Sequence, residues 1–269
     1  MNIIINKELH EYLQTIIIES IVFGSVARED VRNENSDTDY MHIIKMHKSL
    51  ATSSVYCMHS LQYREVDDTG KTIADHVYSS IPQFIQGIIN SESMIPWECL
   101  FDGKFQHNSD IENLKKYKDL ITTFKAARGF LGLARRDSKD ASKYYNKDKH
   151  KCSKKLEFVE RSIKYCEYII NSVIANEQMV SEELNWKDWQ TDYKKFSSNL
   201  ELLNSKIEYL RDFINNMLND KKMSYTCSIN TLAKIHTLFL KNIELLGDNE
   251  YSNQIMNLYY IAALENKFN

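Results

Sequence analysis

The first hundred residues carry short apolar blocks and alternating apolar and polar positions, whereas beyond residue 105 apolar residues recur every three or four. Period two belongs to strands, whose side chains alternate between faces, and a period near 3.6 belongs to helices. Ile21-Val22-Phe23 therefore reads as a buried strand and Tyr40-Met41-His42-Ile43-Ile44 as a second. Leu61-Gln62-Tyr63-Arg64-Glu65-Val66 and the stretch from Thr72 to Tyr78 flank Asp67-Asp68-Thr69-Gly70, the composition of a hairpin turn. Helical spacing predicts helices over Leu114 to Ala134, Lys154 to Ala175, Asn199 to Leu218 and Leu232 to Leu246.

The expected class is α+β: a mixed β-sheet with helices over residues 1–105, followed by an α-helical domain over residues 106–269. Both prolines, Pro82 and Pro96, and four of the seven glycines precede that boundary, where turns are needed. No internal repeat or low-complexity tract interrupts the pattern. The early apolar runs Ile3-Ile4-Ile5 and Ile16-Ile17-Ile18 are separated by Lys7, Glu8, His10 and Glu11, so neither a signal peptide nor a membrane span is expected. Cys57, Cys99, Cys152, Cys166 and Cys227 are odd in number and lack paired spacing, which suits a reducing compartment; a cytoplasmic location is the expectation. His150 and Cys152 lack a second ligand pair, so no zinc site is expected there.

Net charge is −3, from 34 basic and 37 acidic residues, which excludes a general polycation. From Arg135 to Lys155, however, the chain is strongly basic and includes Tyr144 and Tyr145. A solvated interhelical linker is the expected role. The sharper alternative is a rim that attracts a triphosphate or an RNA acceptor, with the tyrosines stacking on bases. Trp186 and Trp189, three apart, read as helix packing rather than base stacking.

The candidate chemistry lies between the first two strands. On an extended chain Asp37 and Asp39 face the same way, and two such carboxylates repel unless a cation sits between them. Mg²⁺, a hard cation, takes oxygen ligands of this kind and completes its shell with substrate phosphates. Upstream, Gly24 permits a sharp turn after Ile21-Val22-Phe23, so that amide groups and the Ser25 hydroxyl can face a triphosphate. Ser36 suits the turn into the second strand. Arg28 has two readings, a phosphate contact or a salt bridge to Glu29, Asp30 or Glu34. His42 reads as a packed histidine, and Glu92 and Glu98, which flank Pro96, read equally as cleft or helix-end residues.

Gly24, Ser25, Ala27, Arg28, Ser36, Asp37 and Asp39 resemble the first signature of the DNA polymerase β nucleotidyltransferase superfamily, in particular the Gly-Ser-x-Ala-Arg-Gly and Ser-Asp-x-Asp of the minimal nucleotidyltransferases. Glu29 stands where that pattern has glycine, and the loop is one residue longer. The stretch from Ser80 to Asn90 and Trp97-Glu98-Cys99-Leu100-Phe101 resemble a helical segment of predicted bacterial and phage nucleotidyltransferases. The resemblance covers residues 20–101. It implies a catalytic domain over residues 1–105 and a helical domain over 106–269 completing the nucleotide and acceptor cleft. It further implies a third carboxylate on a later strand, for which Asp75 is the choice and Glu65 the rival, and nucleotide contacts from Lys155 and Arg161.

The expected function is Mg²⁺-dependent transfer of an NMP from an NTP to a hydroxyl acceptor, an RNA such as tRNA or a protein. Two Mg²⁺ ions held by Asp37 and Asp39 would assist it, and the resemblance implies that Asp75 helps bind the metal and deprotonates the acceptor hydroxyl. Two alternatives stay open: a non-catalytic nucleotide-binding module that regulates a protein partner in the manner of an antitoxin, and a helical interaction protein with an incidental Asp-x-Asp.

Overall fold

A computed structural model of the chain describes residues 2–28, 37–52, 60–91, 93–107, 110–174, 193–240 and 245–265. Contacts gather them into two units, one of residues 1–87, 95–116 and 232–269 and the other of residues 88–94 and 117–231. The compositional boundary at residue 105 falls inside the first unit, which takes in the C-terminal stretch as well.

Along the chain come β1 (Asn2–Ile4), α1 (Lys7–Gln14), β2 (Ile17–Phe23), the single turn α2 (Gly24–Ala27), β3 (Thr38–Ile44), α3 (Lys48–Thr52), β4 (Ser60–Val66) and β5 (Thr72–Ser80). Then follow α4 (Ile81–Asn90), α5 (Ile95–Phe101) and β6 (Lys104–Phe105). Among the described residues six strands form one mixed sheet in the order β1-β4-β5-β3-β2-β6. The pairs β1–β4 and β3–β5 are parallel and the others antiparallel. A mixed sheet followed by helices is the α+β arrangement that the hydrophobic pattern predicts.

Local chemistry explains the joints. In the β4–β5 hairpin Asp67 Oδ1 accepts from the amides of Thr69 and Lys71 at 2.9 and 3.0 Å, and Gly70 takes φ +81°. At the start of α4 Ser80 and Gln83 form a reciprocal capping box: the Ser80 amide donates to Gln83 Oε1 at 2.9 Å and the Gln83 amide to Ser80 Oγ at 3.3 Å.

Past β6 a 3-10 turn (Asp110–Lys116) leads to α6 (Lys118–Ile121), α7 (Phe124–Tyr144), α8 (Lys149–Val173), α9 (Tyr193–Asn219), α10 (Ile229–Leu240) and α11 (Glu250–Glu265). The helix expected from Leu114 starts at Phe124, because Thr123 caps it by accepting from the Ala126 amide at 3.1 Å. It also runs on to Tyr144, so the basic stretch expected as a linker is helical on both sides of a turn at 145–148. Two features explain the correction. Phe130, Ala134, Asp137 and Ala141 continue one buried face, and Asp148 caps α8 by accepting from the Lys151 amide. In α9 the buried positions Phe196, Leu200, Leu203, Ile207, Leu210, Ile214 and Met217 alternate by four and three, the spacing of a packed helical seam. No helix among the described residues is long and apolar enough to cross a membrane.

In the first unit α1 places Leu9 and Leu13 in a core with Ile44, Leu61, Tyr78, Ile255 and Tyr259, which includes α11. Tyr12 stacks on Tyr251 at 4.1 Å and donates its hydroxyl to His47 Nε2 at 2.7 Å, while His47 Nδ1 donates to the Gly247 carbonyl at 2.8 Å.

Between α1 and the sheet lies a layer of aromatic rings and imidazoles. His42 Nε2 and His76 Nδ1 are 2.9 Å apart, His42 Nδ1 is 2.9 Å from Ser20 Oγ, and His76 Nε2 is 3.4 Å from Glu65 Oε2. A carboxylate only accepts, so His76 Nε2 donates to Glu65. Tyr40 stacks on both imidazoles, and His10 stacks on Tyr63 while bonding the Tyr78 hydroxyl at 2.8 Å. Burial, and then the neighbouring His76, push the His42 pKa down to about 3.

The unfolded chain binds a proton at His42 that the folded chain refuses. Its contribution to stability is therefore full above the ordinary value of 6.5 and falls as pH drops from 6.5 toward 3, at up to about 1.4 kcal/mol per pH unit. Urea denaturation across that window is expected to show this slope, and a His42→Phe variant to show it reduced by up to one proton.

Candidate active site

The strand register assembles the site. Phe23 pairs with Asp39 across β2 and β3, Asp39 with Asp75 across β3 and β5, and Asp75 with Arg64 across β5 and β4. Residues paired in this way share a face and lie about 5 Å apart, so Asp39, Asp75 and Arg64 form one row over three adjacent strands. Asp37 stands one residue ahead of β3, where an extended chain directs it to the side of Asp39. Glu65, the rival carboxylate, projects from the other face, toward His76.

Gly24 follows β2 and opens α2 with φ +74°, and a Cβ placed there would lie 2.6 Å from Asp39 Oδ2. The left-handed backbone therefore favours glycine, and a side chain there would push the Asp39 carboxylate aside. Ser25 follows it in α2, half-buried. Arg28 closes that turn and donates Nη1 to Glu98 Oε1 at 3.2 Å, a pair largely withdrawn from solvent. Glu98, equally readable from sequence as a helix-end or cleft residue, is thus buried in α5 as the partner of Arg28. Ser36, Glu29, Asp30, Glu34, Glu92, Cys57, Trp186 and Trp189 lie outside the described residues.

The Asp75 carboxylate is held from β4: Gln62 Nε2 is 2.6 Å from each oxygen, and Arg64 Nη2 is 3.7 Å from Oδ2. The sequence reading passes over Gln62 and Arg64, although they alternate along a strand that it identifies. Their meeting with Asp75 depends on the β4–β5 register, which alternation along the strand does not reveal by itself. Negative charge accumulates at this end. Cys99, fully buried, is pushed well above the usual thiol value by burial first and then by Glu98 and Asp39.

Lys155 and Arg161 belong to α8 in the second unit. Lys155 Nζ lies 2.7 Å from Asp137 Oδ1, a carboxylate only 1 % exposed, and the Arg161 guanidinium covers the Phe158 ring at 4.7 Å.

Among the described residues no group of three or more His, Cys, Asp or Glu side chains converges as a metal-binding set. The hard oxygens of Asp37 and Asp39 are the donor type that Mg²⁺ takes, with phosphate oxygens and water as its remaining ligands, since that ion needs only one or two protein carboxylates. No protein-family model matches the chain, and no curated protein sequence matches it.

Gly24→Ala is expected to cost about 1–2 kcal/mol from the left-handed backbone alone, with a further loss as Asp39 is displaced. Urea denaturation measures the first. The second appears as weaker Mn²⁺ binding, followed through the relaxation of water protons.

Proposed function

We propose that this chain is a Mg²⁺-dependent nucleotidyltransferase that moves an NMP from an NTP to an acceptor hydroxyl, on RNA or on a protein, and releases pyrophosphate. The observation that carries the reading is the row joining Asp39 to Asp75, with Asp37 beside it and Gly24 against the Asp39 carboxylate. Asp37 and Asp39 would hold the metal, with Asp75 next to them; two ions are expected from the resemblance. The metal supplies charge neutralisation and orientation of the triphosphate oxygens.

The protein's own groups do the rest. Ser25 and the backbone at Gly24 hold the β- and γ-phosphates in place. Asp75 takes the proton of the acceptor hydroxyl as that oxygen bonds to the α-phosphorus, and the bond from the α-phosphorus to the bridging oxygen breaks to release pyrophosphate. Gln62 and Arg64 aim the Asp75 carboxylate and keep it from turning away. Arg28 and Lys155 have their charges matched by Glu98 and Asp137, so nucleotide binding in this reading does not rest on them. The described cysteines, Cys99, Cys152, Cys166 and Cys227, are all free and buried, which suits action in the cytoplasm.

The same hold on Asp75 favours a second reading, a nucleotide-binding module without turnover that acts through a protein partner. Such a module binds NTP with Mg²⁺ but transfers no label.

Incubation with each labelled NTP, Mg²⁺ and an extract of RNA and protein, followed by separation of products, tests both. Transfer is expected to label one acceptor class. Asp37→Ala combined with Asp39→Ala is expected to abolish it with the circular-dichroism spectrum unchanged, and undiminished transfer by that variant would falsify the assignment. Asp75→Asn is expected to lower turnover by about 10²–10⁴ while NTP binding persists.

A further inference from the structure

The end of the α7–α8 hairpin carries a surface that the proposed reaction does not use. Residues 135–155 hold nine basic and three acidic side chains, in a chain whose net charge is −3. The fold sorts them by sign. Asp137 is buried and paired with Lys155, Asp148 caps α8, and Asp140 is half-buried beside Lys143 at 2.8 Å. The exposed charges of the segment are therefore all cationic.

Their spacing is regular. Arg135, Lys139 and Lys143 follow one another at i, i+4 and i+8 on α7, and Lys147 continues the series in the turn. Successive members are about 6 Å apart along the axis. A nucleic-acid strand carries a phosphate about every 3.4 Å of axis, so the stripe offers roughly one cation for every second phosphate. Lys151 and Lys154, exposed on the first turns of α8, extend the positive face across the hairpin. Lys139, Lys147 and Lys154 form no ion pair among the described residues. Tyr145 is not available for base stacking: it is buried against Phe196, with ring centroids 4.2 Å apart. The surface therefore offers charge and spacing, with Tyr144, half-buried beside Lys151, as the one remaining ring of the pair.

We infer that this face binds the phosphate backbone of a nucleic acid without reading its sequence. Contacts of this kind release counterions, so affinity falls steeply with salt. The inference does not depend on the transferase reading, because its readout is binding rather than turnover.

The test is fluorescence anisotropy of the full chain with a short labelled RNA and a DNA of the same sequence, over a KCl series. A second protein carries Lys139→Gln, Lys143→Gln, Lys147→Gln and Lys151→Gln together. These side chains are solvent-exposed, so the variant is expected to keep the wild-type urea midpoint. Binding by the wild type, with the log–log salt slope made shallower by about 2–3 in the variant and affinity at low salt reduced at least tenfold, supports the inference. Preference between the two strands identifies which nucleic acid is taken. No binding by the wild type to either strand overturns it. So does equal binding by both proteins, or binding to vesicles of anionic lipid with none to the oligonucleotides.

Discussion

The candidate site depends on the placement of β3 between β2 and β5. Local chain geometry brings Asp37 and Asp39 near each other but cannot bring either to Gly24 or Asp75, and only the backbone ladders do so. Register is all-or-none in its effect, because a slip of one residue turns every side chain of a strand to the opposite face. Here a slip would exchange the carboxylates of Asp39 and Asp75 for the rings of Tyr40 and His76. The register is held by burial at the other end of the same strands. Met41, His42, Ile43 and Ile44 are buried on β3, as are His76 to Ser80 on β5, whereas Asp39 and Asp75 sit where both strands are still partly open. Packing at one end thus positions chemistry at the other.

Part of that arrangement is legible in the sequence because it is local. Gly24 after an apolar block and Asp37-x-Asp39 before another are patterns whose geometry follows from backbone rules, and the hairpin leading to Asp75 carries its own turn residues. Asp75 separates from Glu65 only through pairing: both lie on alternating strands, and the sequence contains nothing that says which face meets Asp39. Gln62 and Arg64 stay hidden for the same reason, since a polar residue on an edge of an alternating strand looks solvent-facing until its partner is known. Glu98 is hidden differently. An acidic residue near a helix start has an ordinary explanation in the helix dipole, and its burial with Arg28 depends on two segments meeting.

The helical part divides along similar lines. The seam of α9 is visible as a four-three repeat, and its helix forms over the predicted stretch. The basic end of α7 reads as a linker because charge masks periodicity; the face it buries is made of Ala134, Asp137, Ser138 and Ala141, small or polar residues that carry little hydrophobic signal. Asp137 is tolerated there because Lys155 reaches it from α8 and Arg136 from its own helix. The return of α11 to the sheet unit has no local signature at all. It rests on Ile255 and Tyr259 in the core and on Tyr12, His47 and Tyr251, residues far apart in sequence that meet only once the strands are in place.

The two faces of β3 and β5 also constrain each other electrostatically. Asp39 and Asp75 stand on one face, and the imidazole layer lies directly behind them on alternate residues of the same strands. An imidazolium at that distance would offset the carboxylates through the sheet. Burial and the adjoining ring deny it, holding His42 neutral throughout the physiological range. His42 therefore offers the front carboxylates no positive charge. Arg64 offsets Asp75 and Arg28 answers Glu98, while Gly24 lies close against the Asp39 carboxylate. The charge of Asp37 and Asp39 is thus left to solvent or to a cation on the front face, because His42 cannot answer it from behind.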